Sequence, residues 1–260
     1  MDYEVVGPPD GRELLFVHGL TADRRSLSLP LEPMFEGLPG RWRRYYLDLP
    51  GHGASQGDPA AASADDLVAA LGGFARAVCG GPPAVVAHSY GGYLAQGLAR
   101  DLAAHLPGLF LLCPVVEPDF PRRRVAPERV LARDPELAFE NNAEQSAFSG
   151  ETVFHTADVL ARWRAALESG HRQQDHAFVA AARARYVMAR PHFRGLAELA
   201  CPVTIVCGRD DAWAGFEDQL ELVRAIRNAT LIVLPRCGHL PQIEAPVALS
   251  SIFGRWLSEI

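Results

Sequence analysis

A chain of 260 residues with 48% hydrophobic and 22% charged residues is long and apolar enough for one large domain with a sizeable core, or one domain carrying an insertion. No run approaches the roughly 20 apolar residues of a membrane span, and the acidic start Met1-Asp2-Tyr3-Glu4 lacks signal-peptide character, so a cytoplasmic protein without a membrane span is expected. The formal net charge of −6 argues against a surface that tracks nucleic-acid phosphates.

In chain order, Tyr3 to Val6 reads as a first strand and Gly7-Pro8-Pro9-Asp10-Gly11 as a turn. Leu14 to Val17 is a second apolar strand that runs into His18-Gly19-Leu20-Thr21. Tyr45 to Leu47 makes a third and ends in the turn-rich Asp48-Leu49-Pro50-Gly51-His52-Gly53-Ala54-Ser55, where His52 reads as structural. A helix is predicted over 63–78. Ser63 suits its N-cap, Asp65 and Asp66 favour its positive end, and Leu67, Leu71, Phe74 and Val78 form one apolar stripe. Ala84 to Ala87 is short, apolar and partly β-branched, the pattern of a strand buried on both faces. His88-Ser89-Tyr90-Gly91-Gly92 follows, and helical spacing starts at Tyr93, Leu94, Gly97 and Leu98.

Leu109 to Leu112 is the next buried strand. From Val115 to about Arg194 the rhythm changes and no strand-like run occurs. Asp134-Pro135 has the form of an N-cap with Pro at the first helical position. Val159, Leu160, Trp163 and Leu167 make a helical stripe that Gly170 is placed to stop, and 175–190 reads as a second long helix ending at Pro191. Strand character returns at Val203 to Cys207 and Leu231 to Leu234, and a final helix covers about 246–257. Short apolar strands alternating with helices predict an α/β fold, a mostly parallel, doubly wound sheet of about seven strands. The predicted organisation is a core of 1–114 and 195–260 interrupted by a helical insertion at 115–194.

The five cysteines, Cys79, Cys113, Cys201, Cys207 and Cys237, are odd in number and form no C-x-x-C pair. They read as reduced core thiols. Arg122-Arg123-Arg124, flanked by prolines, reads as a solvated loop rather than an anion site. No metal-ligand spacing and no phosphate or dinucleotide loop is present, so neither a metal nor a cofactor is expected.

A serine at a strand-to-helix corner is lifted out of the sheet towards the free N–H groups of the helix start. As an acyl-transfer nucleophile, Ser89 requires a base, an acid to orient it, and two N–H donors for the oxyanion. The best-placed base is His239, on Cys237-Gly238-His239-Leu240-Pro241 just after the strand 231–234, at the carboxyl end where such sheets collect ligands. The acid is best placed in Gly208-Arg209-Asp210-Asp211, directly after the strand 203–207. The N–H groups of Tyr90 and Leu20 are the candidate oxyanion donors.

Taken together, Ala87-His88-Ser89-Tyr90-Gly91 resembles the nucleophile elbow of the α/β-hydrolase superfamily, with Ala87 in place of the first glycine. His18-Gly19-Leu20, the 48–55 turn, the 88–92 corner, 208–211 and Cys237-Gly238-His239-Leu240-Pro241-Gln242-Ile243-Glu244-Ala245-Pro246 follow the superfamily's order. The resemblance implies a serine hydrolase with an inserted helical cap. It also selects Asp211 as the acid, three residues beyond Gly208, with Asp210 and Glu117 as the alternatives. It speaks against epoxide hydrolases and haloalkane dehalogenases, which carry Asp at the nucleophile position. Carbon–carbon bond hydrolases often carry Trp where Leu240 and Ile243 stand, a point against that subgroup. The expected activity is cleavage of a small to medium apolar carboxylic ester, with Trp163, Phe178, Trp213 and Leu240 as pocket residues. Thioester, lactone or carbon–carbon hydrolysis and lyase chemistry use the same apparatus, and a non-catalytic small-molecule binder is the rival from another class. The partner is a small-molecule substrate, on a monomer or homodimer.

Overall fold

A computed structural model gives the fold for residues 1–38, 40–190 and 196–260. The strands in chain order are β1 (Tyr3–Val6), β2 (Arg12–Val17), β3 (Trp42–Leu47), β4 (Ala84–His88), β5 (Leu109–Leu112), β6 (Ala132–Arg133), β7 (Phe154–His155), β8 (Val203–Gly208) and β9 (Ala229–Leu234). Seven of them form one sheet in the order β1-β3-β2-β4-β5-β8-β9. Only β1 runs antiparallel, on the edge, so the mostly parallel doubly wound sheet read from the sequence is present.

Every residue of β4 is buried, because β2 and β5 flank it and helices cover both faces. Alternation sorts the side chains. Leu15, Val17, Val85, Ala87, Leu109 and Leu111 pack in one core with the helix Ala64–Val78 and the helix Tyr90–Leu102. Leu14, Phe16, Val86, Phe110 and Leu112 pack in the other, with Phe253 and Trp256 of the C-terminal helix Pro246–Glu259. Ser63 caps the helix Ala64–Val78 as expected, in a reciprocal capping box with Asp66.

Several local expectations are corrected. β3 begins at Trp42, earlier than its apolar run, because Arg44 is held by both oxygens of Glu32 at 2.6 and 2.9 Å. The short helix Arg25–Leu31 has no side-chain cap and contains Pro30, so it left no sequence signal. Within 115–190, β6 and β7 pair as a small parallel ribbon where no strand was expected. Asp134 starts no helix. Its carboxylate instead accepts from Ala157 N at 2.7 Å, at the head of the helix Ala157–Trp163. Gly170 does not stop its helix but lies inside Ser169–Gln173. A Cβ there would sit 2.6 Å from Ala22 C and Asp23 N, so this glycine permits a close approach. The expected helix over 175–190 is shorter, His176–Ala184, capped by Asp175. The expected boundary at 194/195 and Pro191 lie outside the described residues. Among the described residues no helix is long and apolar enough to cross a membrane.

Candidate active site

The corner after β4 is built by backbone geometry. Ser89 adopts φ 54° and ψ −118°, in the positive-φ region that costs a non-glycine residue about 1–3 kcal/mol. Three backbone bonds hold it there: Ser89 N to Leu112 O, and Tyr93 N and Val115 N to Ser89 O. Gly91 lets the corner press against β2, since a Cβ would lie 2.4 Å from Val17 O and 2.3 Å from His18 O.

Ser89 Oγ lies 2.8 Å from His239 Nε2, and His239 Nδ1 lies 2.9 Å from Asp211 Oδ2. A carboxylate only accepts, so Nδ1–H donates to Asp211 and leaves Nε2 to accept from the hydroxyl. The other oxygen of Asp211 accepts from Trp213 N at 2.8 Å and Ala214 N at 3.0 Å. Burial disfavours both charged forms. The mutual attraction outweighs it, so Asp211 is held below the usual carboxylate range and His239 above the usual histidine value. Neither Leu20 N nor Tyr90 N has an acceptor among the described residues.

The two alternative acids point elsewhere. Asp210 is buried and pairs with Arg129, while Glu117 accepts from Asp119 N and faces Arg122 at 3.6 Å.

Residues outside the Ser89, His239 and Asp211 set fix the loops, His52 among them in the structural role expected of it. His88 Nε2–H donates to the His239 carbonyl at 3.0 Å. Burial, then the nearby His239, push its pKa down to about 4, so it acts as a neutral strut. Glu244 accepts from Gly238 N at 2.7 Å, Val153 N at 2.7 Å and Phe154 N at 3.1 Å, tying the His239 loop to β7. Its place within the 237–246 motif was the available signal. On the other side, His18 Nε2 accepts from Leu49 N at 2.9 Å and His52 Nε2 from Thr21 N at 3.2 Å, which fixes the loop that carries Leu20.

A cavity of about 1220 Å³ opens over this arrangement, lined by Leu20, Ser89, Tyr90, Arg123, Tyr186, Trp213 and His239 among others. A second, apolar groove of about 580 Å³, between Pro30, Ala166 and Val247, touches none of Ser89, Asp211 and His239. Of the four pocket residues expected from sequence, Trp213 lines the cavity. Trp163, Phe178 and Leu240 do not. Trp163 and Leu240 are buried with Phe148 and Ile243, and Trp163 Nε1 donates to Glu151 Oε2 at 2.7 Å. Phe178 is clamped over Gly51 and Gly57 and meets His52 edge-on at 6.2 Å. Trp163→Ala and Phe178→Ala are therefore expected to cost stability, about 3–5 kcal/mol each, as a lowered urea midpoint. A normal midpoint with an altered KM would mean that they face the substrate.

Among the described residues one group has metal-ligand proximity, Cys113, Asp211 and His239, with ligand atoms within 4.8 Å of one another. It is a poor fit to a metal. Burial holds the Cys113 thiol protonated, and Asp211 already serves an imidazole and two N–H groups.

The model of the alpha/beta hydrolase family matches residues 14–252. A pimeloyl-[acyl-carrier protein] methyl ester esterase of Nitrosomonas europaea is 27% identical over 94% of this chain and 95% of its own length. A 2-hydroxy-6-oxononadienedioate/2-hydroxy-6-oxononatrienedioate hydrolase of Burkholderia vietnamiensis is 28% identical over 78% of this chain and 72% of its own. An alpha/beta superfamily hydrolase from Oenococcus oeni PSU-1 superposes with a TM-score of 0.88 at 27% identity, covering 99% of this chain and 95% of that one.

Proposed function

Because this chain belongs to the alpha/beta hydrolase family, we propose that it is a cofactor-independent serine hydrolase that cleaves a carboxylic ester through Ser89, His239 and Asp211. The observation that carries this reading is the continuous hydrogen-bonded chain from Ser89 Oγ through both ring nitrogens of His239 to Asp211.

In this mechanism Ser89 Oγ attacks the ester carbonyl as His239 Nε2 takes its proton. The charge on the carbonyl oxygen develops beside Leu20 N–H and Tyr90 N–H, donors whose backbone is already fixed. Collapse of the tetrahedral adduct expels the alcohol, which receives the proton from His239 and leaves an acyl-serine. Water then enters, His239 removes its proton, and the acid is released with Ser89 restored. Asp211 keeps the imidazole in the required tautomer and stabilises its charged form.

The described part of the expected insertion, 115–190, acts as a cap over this site. Val115, Glu117 to Arg123, Glu151 and Arg183 to Val187 all contribute to the cavity wall above Ser89. Ester cleavage is favoured over carbon–carbon cleavage by Leu240 and Ile243, which fill the core beside the His239 loop. The five buried free thiols support a reducing, cytoplasmic setting.

The test is turnover of a panel of activated esters, thioesters and lactones by the purified protein with nothing added. Ester turnover supports the reading, and binding without turnover of any of them would replace it with a binding protein.

The pH profile gives a second check. Only neutral His239 takes the serine proton. Its pKa lies above the ordinary 6.5 because the Asp211 charge and hydrogen bond overcome desolvation. The imidazolium then persists to higher pH, so kcat/KM falls on the acid side with a midpoint above 6.5. A midpoint at or below that value would contradict the role given to Asp211.

A further inference from the structure

The basic run at 122–124 is not one solvated loop. Arg122 is 72% exposed and faces Glu117, and Arg124 Nε binds Asp218 at 2.6 Å. Arg123 turns into the cavity that holds Ser89 and His239. Its Nε donates to Glu117 O at 2.8 Å, Nη1 to Trp213 O at 3.1 Å and Nη2 to Pro118 O at 3.4 Å. All three acceptors are neutral carbonyls. Among the described residues no carboxylate lies within 4.0 Å of it.

The surroundings make this a built site rather than a stray side chain. The guanidinium lies 5.2 Å from the Phe120 ring centroid and 5.7 Å from that of Tyr186. Tyr186 packs at 4.3 Å on Tyr90, the residue after Ser89, and the Tyr90 hydroxyl is buried with no hydrogen-bond partner. The Glu117 carboxylate is already spoken for, since it receives Asp119 N–H and faces Arg122. A half-buried cation without a counterion costs free energy unless a ligand supplies one. The carbonyl bonds hold the guanidinium plane in place, which lowers the cost of presenting its planar edge to a two-oxygen acceptor.

We propose that the substrate is an ester bearing a second, ionised carboxylate, and that Arg123 binds that carboxylate against the Phe120–Tyr186 wall while the ester carbonyl meets Ser89. This rests on the ester-hydrolase reading above and adds the substrate class to it.

The probes are the monomethyl and dimethyl esters of succinic, glutaric and adipic acids, which differ in one negative charge. For at least one chain length the wild-type protein should favour the monomethyl ester by about tenfold to a hundredfold in kcat/KM, mainly through KM, as expected for a hydrogen-bonded charge pair. Arg123→Gln should bring that ratio close to one. Arg123→Lys, which keeps the charge but not the fork, should fall between. No preference in the wild type, or a preference that survives Arg123→Gln, overturns the proposal while leaving the hydrolase reading intact. If none of the esters is turned over, the activated-ester panel above decides the hydrolase reading, and calorimetric binding of the same pairs to Ser89→Ala decides the Arg123 site alone. Tighter binding of the monomethyl ester, lost in the double variant Ser89→Ala/Arg123→Gln, upholds it. Equal binding, or none, rejects it.

Discussion

Replacing Ser89 by alanine is expected to lower kcat for ester hydrolysis by at least about 10³-fold while leaving the fold in place. The substitution removes one oxygen, whose hydrogen-bond partner in the structure is His239 Nε2. The three backbone bonds that fix the corner do not involve the side chain, and the Cβ is retained. Folding should therefore be nearly unchanged, and a melting curve beside the kinetics separates loss of the nucleophile from loss of structure. Wild-type turnover in a folded Ser89→Ala protein would end the assignment.

Asp211→Asn is expected to cost several orders of magnitude in kcat, towards the roughly 10⁴-fold seen when the equivalent acid of serine proteases is amidated. Trp213 N–H and Ala214 N–H require an acceptor from residue 211, so the amide would turn its oxygen to them and its NH₂ to His239. Nδ1 would then have to accept, which moves the ring proton to Nε2, and a protonated Nε2 cannot take the serine proton. Asp210→Asn loses an ion pair with Arg129, and Glu117→Gln loses one with Arg122. Neither carboxylate bonds to His239, so both variants should stay within about tenfold of wild type. A near-normal Asp211→Asn with a collapse in either of the others would reassign the acid.

Elements set by local burial are legible in the sequence, and those set by long-range partners are not. β2, β4, β5 and β8 lie between neighbouring strands, and β9 pairs with β8 at the edge of the sheet; all five carry apolar runs that announce them, and the residues beyond their carboxyl ends follow from position. Ser89, Asp211 and His239 all stand at such ends. β3 carries arginines into the sheet because a glutamate from another element receives one of them, a long-range fact absent from the local pattern. β6 and β7 are two residues each and exist by pairing with one another. Gly170 signals a helix stop by composition, yet its role is set by the approach of Ala22. Trp163 and Phe178 are expected in the pocket yet fill the core, because which bulky residue is buried and which faces the cavity depends on packing that spacing does not encode. The same holds for Arg123. Three consecutive arginines look alike in sequence, and their different partners separate them in the structure.

If His239 activates Ser89 to attack an acyl carbon, a serine-directed fluorophosphonate should react at Ser89, and site mapping of the adduct reads this. The intact protein is incubated with the probe, digested and analysed by mass spectrometry. One adduct is expected, on the peptide carrying Ser89, with hydrolysis lost in step with labelling and no labelling in folded His239→Ala. Retained hydrolysis after full labelling, or an adduct on another serine whose modification abolishes activity, would contradict it.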